Sequence, residues 1–409
     1  MIDKVFNNKT FKTILLVVIA LLATVSLLQG VRNAARDSQD FQWDAMKVFS
    51  LRINPYDESD SMNPSGILDE YGYDEYYLQM EANQFPSLLM LLLPFAPLKP
   101  LAARYVWIAC NIVFTLLIIL LLRKTFLNDM DSYWFSVLSL LMIAGTPYRN
   151  QIGVGQHTLF AFCFFLIAVY FSEYADDRKK TRNAVIVILA LFICYFKYTL
   201  TVPLVLYFVY KKRYKEIVIS ASMHVLLTII AAWWLNDSVL NMIIKPLKVS
   251  SNLAAEGGLD ISALLQGSAV AYVLALVIMI TLFVIAIKLE PGYERTFMSV
   301  LVLWSLIITY HRTYDFFVMI VVAGMFVELK NYLEGKSKAP IFIGKNVLSK
   351  ELITNIEYYY VITILAVFFV LRIFHEQGYS KLVVGAMYYI LTILCTVMVC
   401  GTMRKNHKN

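Results

Sequence analysis

The chain has 409 residues, 59% of them hydrophobic, and carries 36 Lys and Arg against 29 Asp and Glu, a net charge of +7. Soluble domains are usually about 45–50% apolar, so this composition excludes an ordinary soluble fold; its apolar runs recur along nearly the whole length and predict one integral membrane domain over 1–409. The charge is uneven: residues 30–84 hold eleven acids against four bases, a balance of −7 that leaves +14 for the rest.

Residues Met1–Gly30 place Lys4, Lys9 and Lys12 ahead of an apolar core with no A-x-A-like cleavage site, which predicts a retained first span. A span needs about 20 apolar residues, somewhat fewer at the short limit. On that rule, spans fall near 12–29, 104–122, 132–147, 157–173, 182–196, 198–210, 215–235, 269–288, 295–309, 314–329, 358–374 and 380–401. Positive charge sets orientation. Lys4–Lys12, Arg123–Lys124, Arg178–Arg182, Lys211–Lys215, Lys330–Lys350 and Arg404–Lys408 become cytoplasmic, both termini with them. The acidic stretch 30–84 becomes the first outer loop, with interfacial helices. The expectation is an all-α integral membrane protein, a bundle of about 12 transmembrane helices, in a bacterial plasma (inner) membrane.

One apolar stretch does not fit the count. Phe85–Leu98, FPSLLMLLLPFAPL, is short and interrupted by Pro86, Pro94 and Pro97. A full crossing there would invert every later loop, so it is read as re-entrant or interfacial. Backbone of that kind survives at membrane depth only where protein or water satisfies it.

With this threading, polar residues collect at the outer face. In Ser38–Phe49, SQDFQWDAMKVF, Asp40 and Asp44 are four apart and would share a helix face. Phe41, Met46, Val48 and Phe49 would lay that helix on the membrane surface. A carboxylate partly desolvated there suits a general base; the bland reading is a pair of solvated acids. Tyr148–Phe160, YRNQIGVGQHTLF, reads as a flexible loop that brings Gln156 and His157 to a helix start. Free N–H donors there suit a phosphate or sugar oxygen, and a simple N-cap by Gln156 or Thr158 fits equally well.

Lys197, between two short apolar runs, is placed at the outer mouth of a hairpin, either binding phosphate or snorkelling to water. Tyr310–Asp315, YHRTYD, packs His311, Arg312 and Asp315 into a short turn. The pattern suits charge stabilisation of an anionic leaving group, or an Arg312–Asp315 ion pair that tightens the turn. Asp260, after Gly257 and Gly258, is a candidate sugar contact or a helix cap. His224, His375 and His407 cluster with no other ligand types, and no metal site is expected. The five cysteines all lie in apolar runs as small hydrophobes.

Taken in order, SQDFQWDAMKVF, INPYD, QFPSLLMLLLPFAPL, GVGQHTLF, FKYTLTVPLVL ahead of KKRYK, and YHRTYDF resemble the C-superfamily (GT-C) integral-membrane glycosyltransferases. The nearest likeness is to family 87, the polyprenol-phosphate-mannose-dependent mannosyltransferases; their usual YPP-like segment is here NQFPS. The resemblance implies a hexosyltransferase, most simply a mannosyltransferase. Its donor would be a polyprenyl-phosphate sugar and its acceptor a lipid or glycan, with no cofactor, no required divalent metal and no nucleic acid. Asp40 would be the base. Lys197, His311, Arg312, Gln156 and His157 would hold donor phosphate or sugar, and Asp44, Asp260 and Asp315 would contact acceptor or sugar. The main rival is a transporter or lipid flippase, which would favour charges near the bilayer middle and an internal repeat. A second rival is an assembly subunit without chemistry, and among enzymes a lipid-linked glycan ligase lies nearest.

Overall fold

The computed structural model describes residues 8–36, 38–60, 82–254, 260–265 and 267–333. The last two expected spans, 358–374 and 380–401, lie outside the described residues, and the expected total of twelve depends on them. Among the described residues every regular element is helical.

In chain order the helices are α1 Lys9–Arg36, α2 Trp43–Ser50, α3 Pro55–Asp60, α4 Pro86–Leu92, α5 Pro100–Lys124, α6 Ser132–Ala144, α7 Thr146–Gly153, α8 Thr158–Glu173 and α9 Lys180–Cys194. They continue as α10 Tyr198–Leu204, α11 Leu206–Tyr210, α12 Tyr214–Trp234, α13 Val239–Ala254, α14 Ile261–Leu264, α15 Ala269–Lys288, α16 Glu294–Ile308 and α17 Ala323–Leu333. Short 3-10 turns cover Gln39–Phe41, Leu93–Phe95, Tyr195–Lys197 and Thr313–Val322. Local chemistry sets many of the starts. Asp131 accepts from the Tyr133 and Trp134 amides ahead of α6, and α4, α5 and α7 carry proline at their first positions.

Among the described residues five helical runs are long and apolar enough to cross a membrane: Lys9–Arg36, Pro100–Lys124, Lys180–Leu204, Tyr214–Trp234 and Ala269–Lys288. Their outer faces present leucine, valine and isoleucine, as in Leu21, Leu28, Leu116, Val218 and Ile280. Such faces suit hydrocarbon rather than water. Helices α7 and α8 meet at 108°.

The third of those runs folds back on itself. A straight Lys180–Leu204 helix would reach about 37 Å, yet Tyr207 donates to Glu173 at 2.5 Å and Arg213 to the Ser172 carbonyl at 2.8 Å. Both contacts lie at the end where Lys180 begins. The reversal is at Lys197, whose φ −105°, ψ 65° leaves the helical region. The expected hairpin is therefore present, and the lysine stands at its turn.

Contacts sort the helix ends to two poles. At one, Lys12 lies on the Tyr133 ring, Lys124 on Tyr170, and Lys211 between Glu173 and Glu294. Arg295 there reaches Asp129. At the other, Arg104 donates to the Arg36 carbonyl, Arg149 to Gln29, and Trp234 to the Phe49 carbonyl. Phe85–Leu98 stays at this second pole: the Gln84 carbonyl accepts from Tyr56, and Lys47 donates to the Ala96 carbonyl. It enters and leaves on the same side.

Three expectations change. Phe41, Met46, Val48 and Phe49 do not lie on a membrane surface; they are buried, Phe41, Met46 and Phe49 in a protein core with Leu88, Leu89 and Trp107. The stretch between the expected spans 215–235 and 269–288 is more than a connecting loop, because Val239–Ala254 forms helix α13, exposing Leu240, Ile243, Ile244 and Leu247. The GVG segment is not a flexible loop either. A Cβ on Gly153 would lie 3.2 Å from Asn33 Cβ, and one on Gly155 3.2 Å from Phe41 Cβ. Both glycines serve close packing.

Candidate active site

Asp40 sits in a one-turn bridge between α1 and α2, fastened on both sides. Ser38 and Gln42 flank it with φ +40° and +62°, left-handed conformations that cost non-glycine residues energy. Tertiary contacts hold them there. Ser38 Oγ donates to the Ala34 carbonyl at 2.6 Å, and the Asp40 amide to the Val154 carbonyl at 2.8 Å. Gly155, at φ +69°, lets this bridge press on the α7–α8 corner, and its carbonyl accepts from the Trp107 indole at 2.7 Å.

The same bend separates the two aspartates expected on one helix face. Gln42 interrupts the helix between them, so Asp40 turns toward Gln156 while Asp44 opens α2 beside Arg104. Burial pushes the Asp44 carboxyl up to about 7, with the Arg104 charge pulling it partly back. Burial also raises the Asp40 carboxyl above its ordinary range; the Lys197 and Arg312 charges offset part of that, and Asp315 adds to it.

Gln156 links the bridge to the rest of the site. Its Nε2 donates to Asp40 Oδ2 at 3.1 Å and to the Tyr314 hydroxyl at 3.0 Å, while its Oε1 accepts the His157 amide at 2.8 Å. Thr158 does not cap α8; its hydroxyl goes to Asp315.

Lys197, from the hairpin turn, lies 3.6 Å from Asp315 Oδ2 and over the Tyr314 ring at 5.6 Å. Asp315 also accepts from His311 Nδ1 at 2.7 Å, and His311 Nε2 meets Thr309 at 3.0 Å. Asp315 is thus the buried centre of a polar cluster. His311 is buried with both ring nitrogens engaged, one of them by Asp315. The Arg312–Asp315 ion pair gives way to another arrangement: Arg312 donates to the Tyr310 hydroxyl at 2.6 Å, and its charge acts on Asp40.

Two further residues fall outside the open space. His157 is fully buried, its ring 5.2 Å from that of Trp107. Asp260 is buried, with its charge felt at Tyr310. Among the described residues no three His, Cys, Asp or Glu side chains gather to hold a metal ion.

Two cavities meet beside these residues. A small polar cavity of about 40 Å³ is lined by Gln84, Gln156, Lys197, Tyr198, Tyr310 and Tyr314, with Asn83, Thr199 and Ser250. Beside it runs an apolar groove of about 450 Å³ between Phe85, Tyr195, Val202, Val225 and Ile243. Tyr198 lines both, its ring 5.0 Å from Phe85 and its hydroxyl 3.5 Å from Ser250. An amphiphile with an apolar tail and a polar, anionic head matches this pairing of surfaces.

Sequence reasoning found Asp40, Gln156 and Lys197 as isolated polar groups among apolar runs. It missed Tyr314, Tyr310 and Tyr198, and in a chain that is 14% aromatic such residues carry no local signal.

Residues 86–311 match the family model described as glycosyltransferase family 87. That stretch includes Gln156, Lys197, Asp260 and His311, while Asp40, Arg312 and Tyr314 lie outside it. No curated protein and no solved structure matches the chain.

Proposed function

The chain belongs to glycosyltransferase family 87, and on that premise we propose that it moves a hexose, most simply mannose, from a polyprenyl-phosphate carrier to a lipid or glycan hydroxyl at the outer face of the plasma membrane. Family membership sets aside the transporter and assembly-subunit readings. The observation that carries the finer reading is the juxtaposition at Tyr198, where the long apolar groove meets a polar cavity walled by Lys197, by Tyr314 and by Gln156, which donates to Asp40.

In this proposal the isoprenoid tail occupies the groove and the phosphate lies near Lys197 and Arg312. Asp40 takes the proton of the acceptor hydroxyl as its oxygen attacks the anomeric carbon. The bond from that carbon to the phosphate oxygen breaks, and polyprenyl phosphate leaves with the bonding pair. Lys197 and Arg312 counter the charge that develops. One displacement inverts the anomeric centre. The leaving group is a monophosphate already met by two cations, so the step calls for no divalent ion. His311 and Asp315 hold Lys197 in place, and Asp44 and Asp260 have no part in bond making.

The test is transfer from radiolabelled polyprenyl-phosphate mannose to a membrane-lipid extract, with glucose and arabinose donors in parallel. Asp40→Asn should lower turnover by about 10²–10⁴-fold, the usual worth of a general base. Full transfer by that variant would remove Asp40 from the role, and no transfer by wild type from any of the three donors would overturn the donor class.

A further inference from the structure

We propose that Ser87 is a nucleophile, activated by His224, that takes an acyl group from a lipid ester lying in the apolar groove. Three helices build the pair. Ser87 comes from α4, His224 from α12, and the carbonyl that holds the imidazole from Phe192 in α9. His224 Nε2 lies 2.7 Å from that carbonyl oxygen, and Nδ1 lies 2.8 Å from Ser87 Oγ. A carbonyl only accepts, so Nε2 carries the hydrogen. The neutral ring then has its lone pair on Nδ1, and the Ser87 hydroxyl is the donor. A hydroxyl that gives its hydrogen to an imidazole, itself oriented by a third group, is the arrangement of an activated nucleophile.

Packing holds the ring in that orientation. The rings of Phe192, Phe196 and Tyr195 stand 4.6, 5.2 and 5.6 Å from it. Ser87 is buried, and both members of the pair line the groove of about 450 Å³. The walls around them include Val202, Val205, Val225 and Ile243, so the substrate class is a hydrocarbon tail carrying an ester carbonyl. Thr228 shares the groove but gives its hydrogen to a backbone carbonyl, that of His224, at 2.8 Å. It is the built-in comparison: a hydroxyl on the same wall whose partner is no base.

In the step itself, Ser87 Oγ attacks the ester carbonyl carbon while its proton passes to His224 Nδ1. The bond from that carbon to the alcohol oxygen breaks, and the departing oxygen takes the proton from Nδ1. Acyl-Ser87 remains. Water, giving its proton to the same nitrogen, then releases the fatty acid and restores the serine. The Phe192 carbonyl keeps the Nε2 hydrogen throughout and so fixes the ring while Nδ1 gains and loses its proton. The inference does not rest on glycosyl transfer; it uses the groove and the pair alone.

The experiment uses the full chain in detergent with a pair of probes. A dodecyl fluorophosphonate forms a phosphorus–oxygen bond to an activated serine with loss of fluoride, and peptide mass spectrometry locates the adduct. p-Nitrophenyl decanoate reports acyl transfer by release of p-nitrophenol. Wild type should carry the adduct at Ser87 and none at Thr228, and Ser87→Ala should lose the p-nitrophenol release. His224→Gln should slow labelling of Ser87 by about 10²–10⁴-fold, the usual worth of a general base. If His224→Gln does not fold, Thr228→Ser supplies the comparison, a second serine on the same wall without an imidazole, which should stay unlabelled.

A hydrogen bond that merely ties α4 to α12 predicts no adduct at Ser87, and that result in wild type would overturn the inference. So would equal labelling in a folded His224→Gln protein, equal labelling of the serine at position 228, or an adduct at Ser87 without release of p-nitrophenol. The two readings separate cleanly. A Ser87 adduct and ester turnover in a chain that transfers no sugar keep this inference and end the donor proposal; an unlabelled Ser87 in an active glycosyltransferase does the reverse.

Discussion

Burial and neighbouring charge act on each carboxylate of the second pole separately, and the consequences differ. Asp40 must be ionised to accept a proton, and burial raises its carboxyl above the ordinary range. Transfer should therefore fall as pH drops through that raised value, at less acidic pH than a solvated aspartate would give, which a pH profile of turnover measures. Asp44 answers to stability instead. Its folded value of about 7 lies above the ordinary 3.8, so the folded chain binds the proton more tightly. The contribution is fully present below about 3.8 and is lost as pH rises through about 7. Asp44→Asn should remove that slope and raise the melting temperature at pH 8, read by thermal unfolding in detergent, with transfer retained; a steeper slope would contradict it. Glycine adds a contrast. Gly155 and Gly267 share φ +69°, but a Cβ at Gly155 meets Phe41 and Ser38 at 3.2 Å while one at Gly267 meets nothing within 4 Å. Gly267→Ala should cost about 1–2 kcal/mol from conformation alone. Gly155→Ala should cost more and displace Asp40, so its activity should fall further than its stability. Equal losses at the two sites would mean that close packing of the bridge does not matter.

At the scale of elements, much of the architecture was readable because apolar runs and prolines are strong signals. The run flanking Lys197 was legible as a hairpin from its length, and Phe85–Leu98 as a segment that returns. Helix α13 was not: it is amphipathic, carries Pro246 inside it, and is too polar to register as a span. Its importance comes only from packing. Val239 and Ile243 line the apolar groove and Ser250 lines the polar cavity, so one helix covers both. A cavity of about 40 Å³ has room for roughly one or two waters, since each takes about 30 Å³ in the liquid. A hexosyl phosphate cannot enter until something moves. Helix α13 is tied down by Lys245, 2.7 Å from both Asp57 and Asp237, while its Tyr198–Ser250 contact is long at 3.5 Å. Lys245→Ala should weaken this cover by about 1 kcal/mol. Faster hydrogen exchange across 239–254 is the expected readout, with unchanged exchange in α16; protection retained in α13 would show that another element opens the site.

For the whole molecule, the decisive property is polarity from end to end. Arg123, Lys124, Arg178, Lys211, Arg213 and Arg295 gather at the pole where α5 and α8 end, and Asp40, Asp57, Asp237 and Asp315 stand beside Arg104, Lys197, Lys245 and Arg312 at the pole where α1 ends. Sequence could show this because charge placement along a chain of spans is a one-dimensional signal. It could not show that the second pole holds a packed site, since Gln156, Lys197 and Tyr314 come together only when α8, the hairpin and the Thr313–Val322 turn fold onto one another. Basic ends stay cytoplasmic as a rule, so the site should face outward. A cysteine at exposed Lys179 marks one pole and a cysteine at exposed Asp57 the other, each in a chain with its five native cysteines replaced. With a membrane-impermeant maleimide on intact cells, Asp57→Cys should label and Lys179→Cys should label only after permeabilisation. The reverse pattern would put the site on the cytoplasmic side and require the donor to be used there. Labelling of both from one side would mean that the two poles do not lie across a bilayer, and the crossing assigned to α5 and α8 would fall with it.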